Sequence, residues 1–592
     1  MALARVERLP DDLVNKIAAG EVIERPASVV KELVENALDA EARQVKVEIE
    51  RGGKSLVRVS DDGHGMSRAD AELALERHAT SKLRELSDLQ SLTTSGFRGE
   101  ALPSIASVAH LLLRTREETA SAGTEIEVEH GRVRHVRDVG HPRGTTVEAR
   151  DLFGAVPARR KFLRADSTEA GHVAEGLSLL AIARPDRGFV LKSEGRAVIE
   201  APPVDGLGPR LFQLFGGRLL EDLVAVAGGE EWARVSGFVS RPDRPRPARP
   251  NLRLVVNGRP VRDRAIAKAV SEAYRRAGAG DRGFDAFLRL DIPSHLVDVN
   301  VHPAKAEVRF ADPRTVWTAV ERALRDALSA GVRRAPGAAG RNDVAIPADV
   351  QRYLDREEGP SGQTAVSYSV EPFAGPARVA EAAAGATEAT GRGAAGELVV
   401  LGQHRSTYIV VTDGDELVLV DQHTAHERVR FEQLRERAER RAAESQILLA
   451  PVVFTLAPDL RPLLEQHAEA LLSLGYDVEA FGGGAARVRA TPALLGPREP
   501  GPALERLLRD VRDREGTEWA VAGARDRLAA TLACHSAVRA GQPLTAESMT
   551  AIVRGLGRTQ DPTLCPHGRP TTVRIPRDDV SRWFGRGGWR RR

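Results

Sequence analysis

The fold of this chain is decided by one stretch, Val29-Val-Lys-Glu-Leu-Val-Glu-Asn-Ala-Leu-Asp39. Apolar residues recur in it at helical spacing, which predicts a helix with one face in a core. The core-facing set is Val29, Val30, Leu33, Ala37 and Leu38, and the polar set on the other stripe is Glu32, Glu35, Asn36 and Asp39. Glu32 and Asn36 project side by side, and a carboxylate beside an amide suits a bound water and a divalent cation. For this helix alone, a solvated polar face is the simpler interpretation.

The composition indicates a multidomain protein without a membrane segment. A chain of 592 residues is too long for one core, so we expect roughly three or four domains. Its 86 basic and 83 acidic residues nearly cancel, and the net charge of +3 allows nucleic acid as a partner without demanding it. There is no apolar run of membrane-spanning length and no signal-peptide pattern. We therefore expect a cytoplasmic protein.

Two predicted strands follow the helix and lead into a glycine motif. Alternating residues over 44–50 and 55–61, separated by a glycine pair, predict a hairpin. The second strand runs into Asp61-Asp-Gly-His-Gly65. Gly63 and Gly65 let the backbone close around a ligand, while Asp61 offers an acceptor suited to an exocyclic amine such as that of adenine. Many turns are written Asp-Gly, so this motif is weak by itself.

A candidate phosphate-binding loop lies at Ser95-Gly-Phe-Arg-Gly-Glu-Ala-Leu102, where glycines enter a helical pattern. Free backbone N–H groups at the positive end of a helix dipole form a cradle for phosphate. Loops of this kind are common, so an ordinary loop is an equal alternative. Further on, Gly144-Thr-Thr146 opens a predicted strand that ends at Arg150.

In this order, these motifs resemble the ATP-binding motifs of the GHKL superfamily, which gyrase, Hsp90, histidine kinases and MutL share. The flanking segments resemble the MutL family of DNA mismatch repair proteins specifically. They are Ile17-Ala-Ala-Gly-Glu-Val-Ile-Glu-Arg-Pro26, Arg77-His-Ala-Thr-Ser-Lys82 and Asp151-Leu-Phe153. The resemblance runs from about Leu9 to Phe310.

The resemblance implies roles for individual residues of an ATP site. Glu32 is the expected general base for the hydrolytic water, Asn36 the expected ligand of the Mg²⁺ that bridges the triphosphate, and Asp61 the adenine-reading acid. The other expected nucleotide-binding residues are Gly63, Gly65, Gly96, Phe97, Arg98, Gly99, Thr145 and Lys305. Lys305 would reach the γ-phosphate from the second domain; without the resemblance, it reads as a surface lysine after a proline turn. Asp62 departs from the family, which usually has asparagine there.

A second domain and a linker are predicted after the ATP-binding domain. A strand at 252–256, a helix through Ala265 and Val270, and a strand at 286–292 predict a small α/β layer. The arginines at 259, 262 and 264 either line a DNA groove or are solvated charge. From 331 to 397, alanine, glycine, proline, glutamate and arginine dominate, a composition typical of a flexible linker.

The last third contains a second set of chemical motifs. In Asp421-Gln-His-Thr-Ala-His-Glu-Arg-Val-Arg-Phe-Glu432, His423 and Glu427 lie four apart on a predicted core-facing helix stripe. Such a pair is either a metal ligand set or a satisfied core histidine. The chain has two cysteines, each followed closely by a histidine, in Cys534-His535 and Cys565-Pro-His567. Thiolate and imidazole at this spacing suit zinc or manganese.

This set resembles the endonuclease motifs of those MutL proteins that nick DNA themselves. The resemblance implies two metal ions, Mn²⁺ and/or Zn²⁺, bound by Asp421, His423, Glu427, Cys534, Cys565 and His567. Asp421, His423 and Glu427 are the expected catalytic ligands, with Glu427 shared between the metals. Thr424 replaces the usual alanine, and His535 stands where many members have arginine or lysine. One structural zinc that only ties the domain together is the alternative.

A short peptide, Gln446-Ile-Leu-Leu-Ala-Pro451, resembles the peptide by which repair enzymes dock on the replication sliding clamp. The alternative is a buried strand edge stopped by a proline.

The sequence therefore predicts an α+β multidomain protein of the MutL type. Its expected domains are a GHKL ATP-binding sandwich at 1–205, a transducer resembling ribosomal S5 domain 2 at 206–330, a linker at 331–397 and a C-terminal α/β dimerisation and endonuclease domain at 398–592. The expected protein is an ATP-switched homodimer that works with a MutS-type mismatch-recognition protein, double-stranded DNA and the sliding clamp. A matchmaker that cuts nothing is the main alternative. A GHKL chaperone or topoisomerase subunit would lack the motif at 421–432.

Overall fold

The computed structural model describes a defined subset of the 592 residues. It covers 23–76, 79, 99–129, 131–230, 232–242, 250–278, 283–298, 308–332, 398–413, 416–440, 443–496, 498–513 and 523–583. These residues fall into two compact units: the first takes those of 1–353, 445–491 and 497–517, and the second those of 354–444, 492–496 and 518–592. Most of the predicted linker lies outside the described residues. Within the described part of the chain, no helix is long and apolar enough to cross a membrane.

The N-terminal part of the first unit is an eight-stranded mixed sheet with helices packed on it. The strand order is β5-β4-β3-β6-β2-β1-β7-β8. The strands are β1 Gln44–Glu50, β2 Leu56–Asp61, β3 His110–Arg116, β4 Gly123–Glu129, β5 Arg132–Val139, β6 Gly144–Arg150, β7 Gly188–Ser193 and β8 Arg196–Ala201. The helices are α1 Pro26–Asp39, α2 Arg68–Leu73, α3 Ala101–Val108, α4 Pro157–Arg160 and α5 Asp166–Ala183. Helices α1 and α5 pack against each other.

Helix α1 forms where the sequence predicts it. Proline begins the helix, a position where its missing N–H removes no helical hydrogen bond. The predicted core residues Val29, Val30, Leu33 and Ala37 are at most 4% exposed, and Leu38 is partly buried. Glu35 corrects the predicted polar stripe: it is 7% exposed and lies 3.6 Å from the Lys31 ammonium. Glu35 lies next to the core-facing side of the helix, and the charge of Lys31, one turn away, compensates its buried carboxylate.

The hairpin predicted after α1 is confirmed. Strands β1 and β2 pair antiparallel, with Val45 opposite Asp61 and Glu50 opposite Leu56. A short 3₁₀ turn, Arg51–Gly53, joins them. Strand β1 also pairs in parallel with β7, which places the hairpin inside the sheet. The end of β2 at Asp61 is thereby fixed beside β6.

The second domain is a five-stranded sheet, in the order β12-β11-β13-β10-β9. Its elements are α6 Leu207–Phe215, α7 Gly217–Glu221, β9 Leu223–Glu230, β10 Ala233–Ser240, β11 Asn251–Val256, β12 Arg259–Val261, α8 Arg264–Arg276, β13 Asp285–Asp291, the pair β14 Val297–Asp298 and β15 Arg309–Phe310, and α9 Pro313–Val332. Strands β11 and β13 pair in parallel around α8, so the predicted strand-helix-strand layer is confirmed.

The C-terminal part continues in chain order from residue 398. Its elements are β16 Val399–His404, β17 Tyr408–Thr412, β18 Glu416–Asp421, α10 Gln422–Glu439, β19 Ser445–Thr455, α11 Arg461–Ser473, β20 Asp477–Phe481, β21 Ala485–Pro492, α12 Pro500–Asp513, α13 Ala524–Ser536, α14 Ala546–Leu556, β22 Thr572–Pro576 and α15 Arg577–Trp583. Strands β16-β17-β18-β22 form one sheet and β19-β21-β20 another.

These elements are divided between the two units. The β16-β17-β18-β22 sheet packs one face on α10 and α14 and belongs to the second unit. Residues 445–491 and 498–513, which we call the arm, group with the first unit. The arm contains β19, α11, β20, nearly all of β21, and α12. The mixed α and β architecture agrees with the predicted fold class.

Candidate functional site

The nucleotide-site candidates begin at the end of β2. One oxygen of Asp61, Oδ1, accepts hydrogen bonds from the backbone N–H of Gly63 at 2.9 Å and of Thr145 at 3.3 Å. Burial raises the pKa of Asp61 to about 6, although both hydrogen bonds oppose the shift. A half-buried carboxylate with a fixed orientation is a suitable acceptor for an amine donor such as that of adenine.

The two glycines after Asp61 are required by close backbone approach. A Cβ on Gly63 would lie 2.7 Å from the Ala40 carbonyl oxygen. Gly65 has φ +73°, and a Cβ there would lie 2.6 Å from the Arg116 carbonyl carbon. The turn therefore wedges between the residue after α1 and the end of β3, where a side chain has no room. This packing places the turn against Ala40, which follows Asn36 by four residues in the chain.

Glu32 and Asn36 lie on one side of α1, one turn apart, and both are half-buried. Helix α1 packs on β2, the strand that ends at Asp61. The structure thus brings the predicted base, the predicted Mg²⁺ ligand and the predicted adenine-reading acid to one helix and its neighbouring strand. Thr145 joins them through its N–H bond to Asp61, and its hydroxyl lies 3.0 Å from that of Thr115.

Asp62, the departure from the family pattern, has a structural contact. Its Oδ1 accepts hydrogen bonds from the backbone N–H of Arg43 at 2.7 Å and of Gln44 at 2.8 Å. These bonds hold the start of β1 against the glycine turn. An asparagine oxygen accepts the same two bonds, so the replacement keeps this role.

Some predicted nucleotide contacts lie outside the described residues. These are Gly96, Phe97, Arg98 and Lys305. Gly99 is described and lies two residues before α3. The phosphate-loop and γ-phosphate assignments therefore stay predictions.

The metal-site candidates begin at the boundary of β18 and α10. Asp421 ends the strand and caps the helix: its Oδ1 accepts from the backbone N–H of His423 at 2.9 Å and of Thr424 at 3.0 Å. An aspartate is favoured at this position because it satisfies N–H groups that have no helical partner. The cap fixes the first turn of α10, from which His423 projects.

A carboxylate, a thiol and an imidazole converge beside α10. Ligand atoms of Glu427, Cys565 and His567 all lie within 4.8 Å of one another. Glu427 is 1% exposed and Cys565 0%, and Glu427 Oε1 lies 2.5 Å from His567 Nδ1. Burial raises the pKa of the Cys565 thiol, and the Glu427 charge adds to that effect. Burial also acts to raise the pKa of Glu427, but His567 outweighs it and the net shift is downward.

These three donors fit a divalent cation. A buried carboxylate beside a thiol and an imidazole is costly to desolvate unless a positive charge compensates it. Cysteine, histidine and glutamate are all zinc ligands, and three protein donors leave a fourth position for water or substrate. The group therefore has the chemistry of an open metal site.

The structure does not bring all six predicted ligands into this group. Among the described residues, Asp421, His423 and Cys534 are not members of it. His423 Nδ1 donates to the Val538 carbonyl at 2.8 Å, which leaves Nε2 as the lone-pair nitrogen of the neutral ring. Metal-binding histidines commonly make this kind of bond. Cys534 lies in the last turn of α13, which packs against α10.

Three supporting residues of α10 were missed by the sequence reasoning. The Gln422 amide is fully buried and donates to the Ser406 and Arg539 carbonyls at 2.8 Å each. Arg428 donates to the Leu564 carbonyl at 2.7 Å, next to Cys565. His426 Nδ1 accepts from the Val538 N–H at 3.1 Å, and burial lowers its pKa to about 4. The available signal was polar residues recurring at core positions of a helix.

Comparisons with known proteins agree with this architecture. Three family models match the chain: "Histidine kinase-, DNA gyrase B-, and HSP90-like ATPase" over residues 23–143, "DNA mismatch repair protein, C-terminal domain" over 211–329, and "MutL C terminal dimerisation domain" over 401–544.

Relatives that match over almost the whole chain carry one description. The DNA mismatch repair protein MutL of Anaeromyxobacter dehalogenans is 44% identical, over 99% of this chain and 100% of its own length. That of Geotalea uraniireducens is 40% identical, over 98% and 100%. Among solved structures, the Aquifex aeolicus MutL ATPase domain complexed with ADP is 30% identical over 50% of this chain and 98% of that one, with a TM-score of 0.37. The extent and identity of the first two matches establish that this chain belongs to the MutL family of DNA mismatch repair proteins.

Proposed function

We propose that this protein is an ATP-switched homodimer that couples mismatch recognition to strand-specific repair and nicks DNA itself. The observation that carries the nicking assignment is the convergence of Glu427, Cys565 and His567 in one buried group. Two sequence motifs that resemble the endonuclease pattern thereby meet in space. Asp421 and His423 at the start of α10, with Cys534 on α13, would complete the ligand set for Mn²⁺ and/or Zn²⁺.

The proposed chemistry assigns metal-assisted hydrolysis to the C-terminal site. A divalent metal activates water and stabilises the leaving oxygen of a phosphodiester. In this chain Glu427 would hold the metal from α10, while Cys565 and His567 would hold it from the loop before β22. His423, oriented by its bond to the Val538 carbonyl, is the proposed additional ligand.

ATP hydrolysis is proposed for the N-terminal site. Glu32 would take the proton of the attacking water, and Asn36 would hold Mg²⁺ on the triphosphate. Asp61 would receive the adenine amine, with Gly63, Gly65, Gly99 and Thr145 shaping the surrounding backbone. Gly96, Phe97, Arg98 and Lys305 are proposed for the phosphates on the family resemblance. ATP binding would join the N-terminal halves and hydrolysis would reset them.

The test of nicking compares two substitutions on α10. Supercoiled plasmid is incubated with Mn²⁺ and wild type, Glu427→Gln or Glu436→Gln. Glu436 is exposed and pairs with Arg440 on the surface, so its variant is a matched control. We expect Glu427→Gln to lose about 100-fold or more in nicking rate, while Glu436→Gln keeps the wild-type rate. The variants are checked for folding by circular dichroism and for dimerisation by sedimentation.

A structural zinc in a matchmaker that cuts nothing is the second candidate. One observation favours a single metal ion over the predicted pair: the convergent group has three ligands, whereas six were predicted. Under this alternative, wild type would bind one metal ion per chain and would not nick plasmid with Mn²⁺, Mg²⁺ or Zn²⁺, even with ATP and a sliding clamp present. Metal counting by elemental analysis, run beside the nicking assay, separates the two candidates.

The homodimer is proposed to form on the open face of the β16-β17-β18-β22 sheet. Its other face is the core of the second unit. Strand register aligns Val410, Leu419 and Val573 in one row across the open face. Tyr408, two residues before Val410 on β17, shares that face and is 42% exposed. An apolar sheet face fits a second copy of the chain, in agreement with the dimerisation-domain match over 401–544.

Other partners are proposed from the family and from one exposed strand. Gln446–Pro451 lies in β19, where Ile447 is 82% exposed and Leu449 fully exposed. The peptide is therefore not the buried strand edge of the alternative interpretation, and it is available for the sliding clamp. A MutS-type protein and double-stranded DNA are the remaining proposed partners, in the cytoplasm.

A further inference from the structure

The arm makes direct contact with the ATP-binding domain. Helix α11 packs on α5, and Arg461 at its start donates a hydrogen bond to the Val198 carbonyl of β8. The carbonyl oxygen of Asp459 approaches α5 closely enough that a Cβ on Gly171 would lie 2.8 Å from it. The surface contacted by the arm is therefore the outer face of α5 together with the edge strand β8.

Opposite charges face each other across this contact. Arg196 of the ATP-binding domain lies 3.1 Å from Glu465 of the arm. Arg218, on α7 of the second domain, also forms an ion pair with the arm, at Glu499 just before α12. Both pairs are largely solvent-exposed, so they direct and select the contact more than they hold it.

A third group of charges lies deeper. The pKa of Glu175 on α5 is lowered to about 2, chiefly by the hydrogen bond with His172 and also by nearby arginines including Arg512 of the arm, while burial opposes the shift. Arg512 also pairs with Asp459, whose carboxylate is almost fully buried. The arm thus presents the positive charge of Arg512 to Glu175 on α5. Asp459, also in the arm, neutralises the same arginine.

The contact does not have the character of a permanent core. No described residue of the arm belongs to the apolar cluster that fills the ATP-binding domain or packs against it. A cavity of about 920 Å³ lies between them, lined by Asp166, Ser167 and Arg196 on one side and by Leu456, Arg461 and Glu465 on the other. The Ser167 hydroxyl is buried with no hydrogen-bond partner. Permanent interfaces pack at their centre like protein interiors and satisfy their buried polar groups.

We propose that the arm is a docking element that binds the α5–β8 surface of its own chain reversibly, through charged contacts beside a cavity. The chain passes between the arm and the second unit at 444–445, 491–492, 496–497 and 517–518. Two surfaces of one chain meet at a high effective concentration, so a contact of modest intrinsic affinity is sufficient. The proposal does not depend on whether the protein cuts DNA.

Crosslinking of the full-length protein tests this docking. The contact pair is Arg196→Cys with Glu465→Cys, treated with a short bis-maleimide, and the crosslinked peptides are identified by mass spectrometry. The control pair is Glu72→Cys with Glu465→Cys. Glu72 lies on α2, which packs on β4, far across the sheet from β8. We expect the contact pair to crosslink within one chain at least tenfold faster than the control pair.

Charge reversal tests the basis of the contact. In the background of the contact pair, Arg218→Glu should slow crosslinking severalfold, and adding Glu499→Arg should restore it. Both residues are exposed, so neither change threatens folding. Raising the salt concentration should slow crosslinking of the contact pair as well, because exposed ion pairs are screened. Equal rates for the contact and control pairs, or crosslinks found only between two chains, would overturn the proposal. A rate insensitive to Arg218→Glu and to salt would overturn its electrostatic basis.

Discussion

The candidate nucleotide site and the candidate metal site of this protein are assembled from the chain in different ways. The described candidates of the nucleotide site lie between Glu32 and Thr145, on one helix, two strands and the turns between them. The metal group joins Glu427, on α10, to Cys565 and His567 in a loop that is reached only after four further helices. The first site is shaped largely by backbone contacts within one sheet and the helix packed on it, whereas the second is formed by side chains of a helix and of a loop that packs on it.

This difference has consequences for what each site tolerates. The glycine turn at Gly63 and Gly65 holds its shape through backbone contacts with Ala40 and Arg116. Removing a side chain that performs chemistry should therefore leave nucleotide binding intact. The metal group depends on the packing of the Cys565 loop on α10, where the side chain of Arg428 donates to the Leu564 carbonyl. Removing the metal should therefore weaken the second unit itself.

The largest expected effect is at Glu32. Glu32→Gln keeps the shape of the side chain but removes the base, so we expect ATP hydrolysis to fall by about 10²–10⁴-fold. Nucleotide affinity should change by no more than about twofold, because the substitution leaves in place the contacts that bind the nucleotide before hydrolysis. Phosphate release and binding of a fluorescent nucleotide measure the two quantities. Glu72→Gln, at an exposed residue of α2, is the control. Parallel loss of binding and hydrolysis would contradict a backbone-shaped site.

Metal removal should act on one unit only. A metal present at about 100 times its dissociation constant stabilises the folded state by about 2.7 kcal/mol. We expect chelation to lower the thermal midpoint of the second unit by roughly 5–10 °C and to leave that of the ATP-binding domain unchanged. Differential scanning calorimetry resolves this, and Cys565→Ser should abolish the shift. A chelator effect of equal size on both units would contradict the view that the metal stabilises the second unit alone.

The pH dependence of nucleotide binding should report on Asp61. Burial raises its pKa to about 6, so the ligand-free protein takes up a proton as the pH falls through that value. An amine donor favours the ionised carboxylate, so binding releases the proton. Affinity should be constant above about pH 7 and should fall up to tenfold per unit below pH 6. Isothermal titration in buffers of different ionisation enthalpy tests this; affinity that does not vary between pH 5 and 7 would remove Asp61 from the nucleotide contact.

The same linkage affects stability. The folded protein holds the Asp61 proton more tightly than the unfolded chain does, because its pKa is raised. The ionised carboxylate therefore opposes folding at neutral pH; this penalty begins to decline as the pH falls through about 6 and is gone below the ordinary pKa of 3.8.

The smallest expected effect is at Asp62. Asp62→Asn keeps an oxygen that accepts from Arg43 and Gln44, so the free energy of unfolding should change by less than about 0.5 kcal/mol. The Asp62 charge helps to raise the pKa of Asp61. Its removal should therefore move the midpoint of the pH profile downward by a fraction of a unit. An upward shift would show that Asp62 acts on Asp61 through structure and not through charge.

Local patterns in the sequence were sufficient for most of the fold. Hydrophobic periodicity and turn residues predict three of its parts. These are the helix at 26–39, the hairpin that follows it and the parallel strand pair around α8. The burial of Glu35 was not, because it depends on Lys31 and on how the helix face meets its neighbours. Periodicity assigns a face to a residue but not the partners that make burial tolerable.

The candidate sites show the same limit. Asp421, Glu427 and the two cysteines are recognisable as chemical motifs, but the approach of Glu427 to Cys565 depends on long-range packing. Sequence spacing cannot report that His423 makes a hydrogen bond to Val538, or that Gln422 spans two loops. The grouping of the arm with the first unit is likewise a tertiary property, since nothing in residues 445–513 distinguishes them as a separate module.

The pairing of β18 with β22 bears on the order in which a newly made chain acquires its activities. The eight-stranded sheet is complete once Ala201 has emerged from the ribosome, whereas β18 at 416–421 waits for β22 at 572–576. About 140 residues separate Glu427 from Cys565, so at about 5–20 residues per second the nascent chain carries an incomplete metal group for on the order of ten seconds. A chain truncated anywhere before residue 565 has no such group. The proposed cutting activity therefore becomes available only after residues up to 576 have been synthesised, well after the ATP-binding sheet is complete.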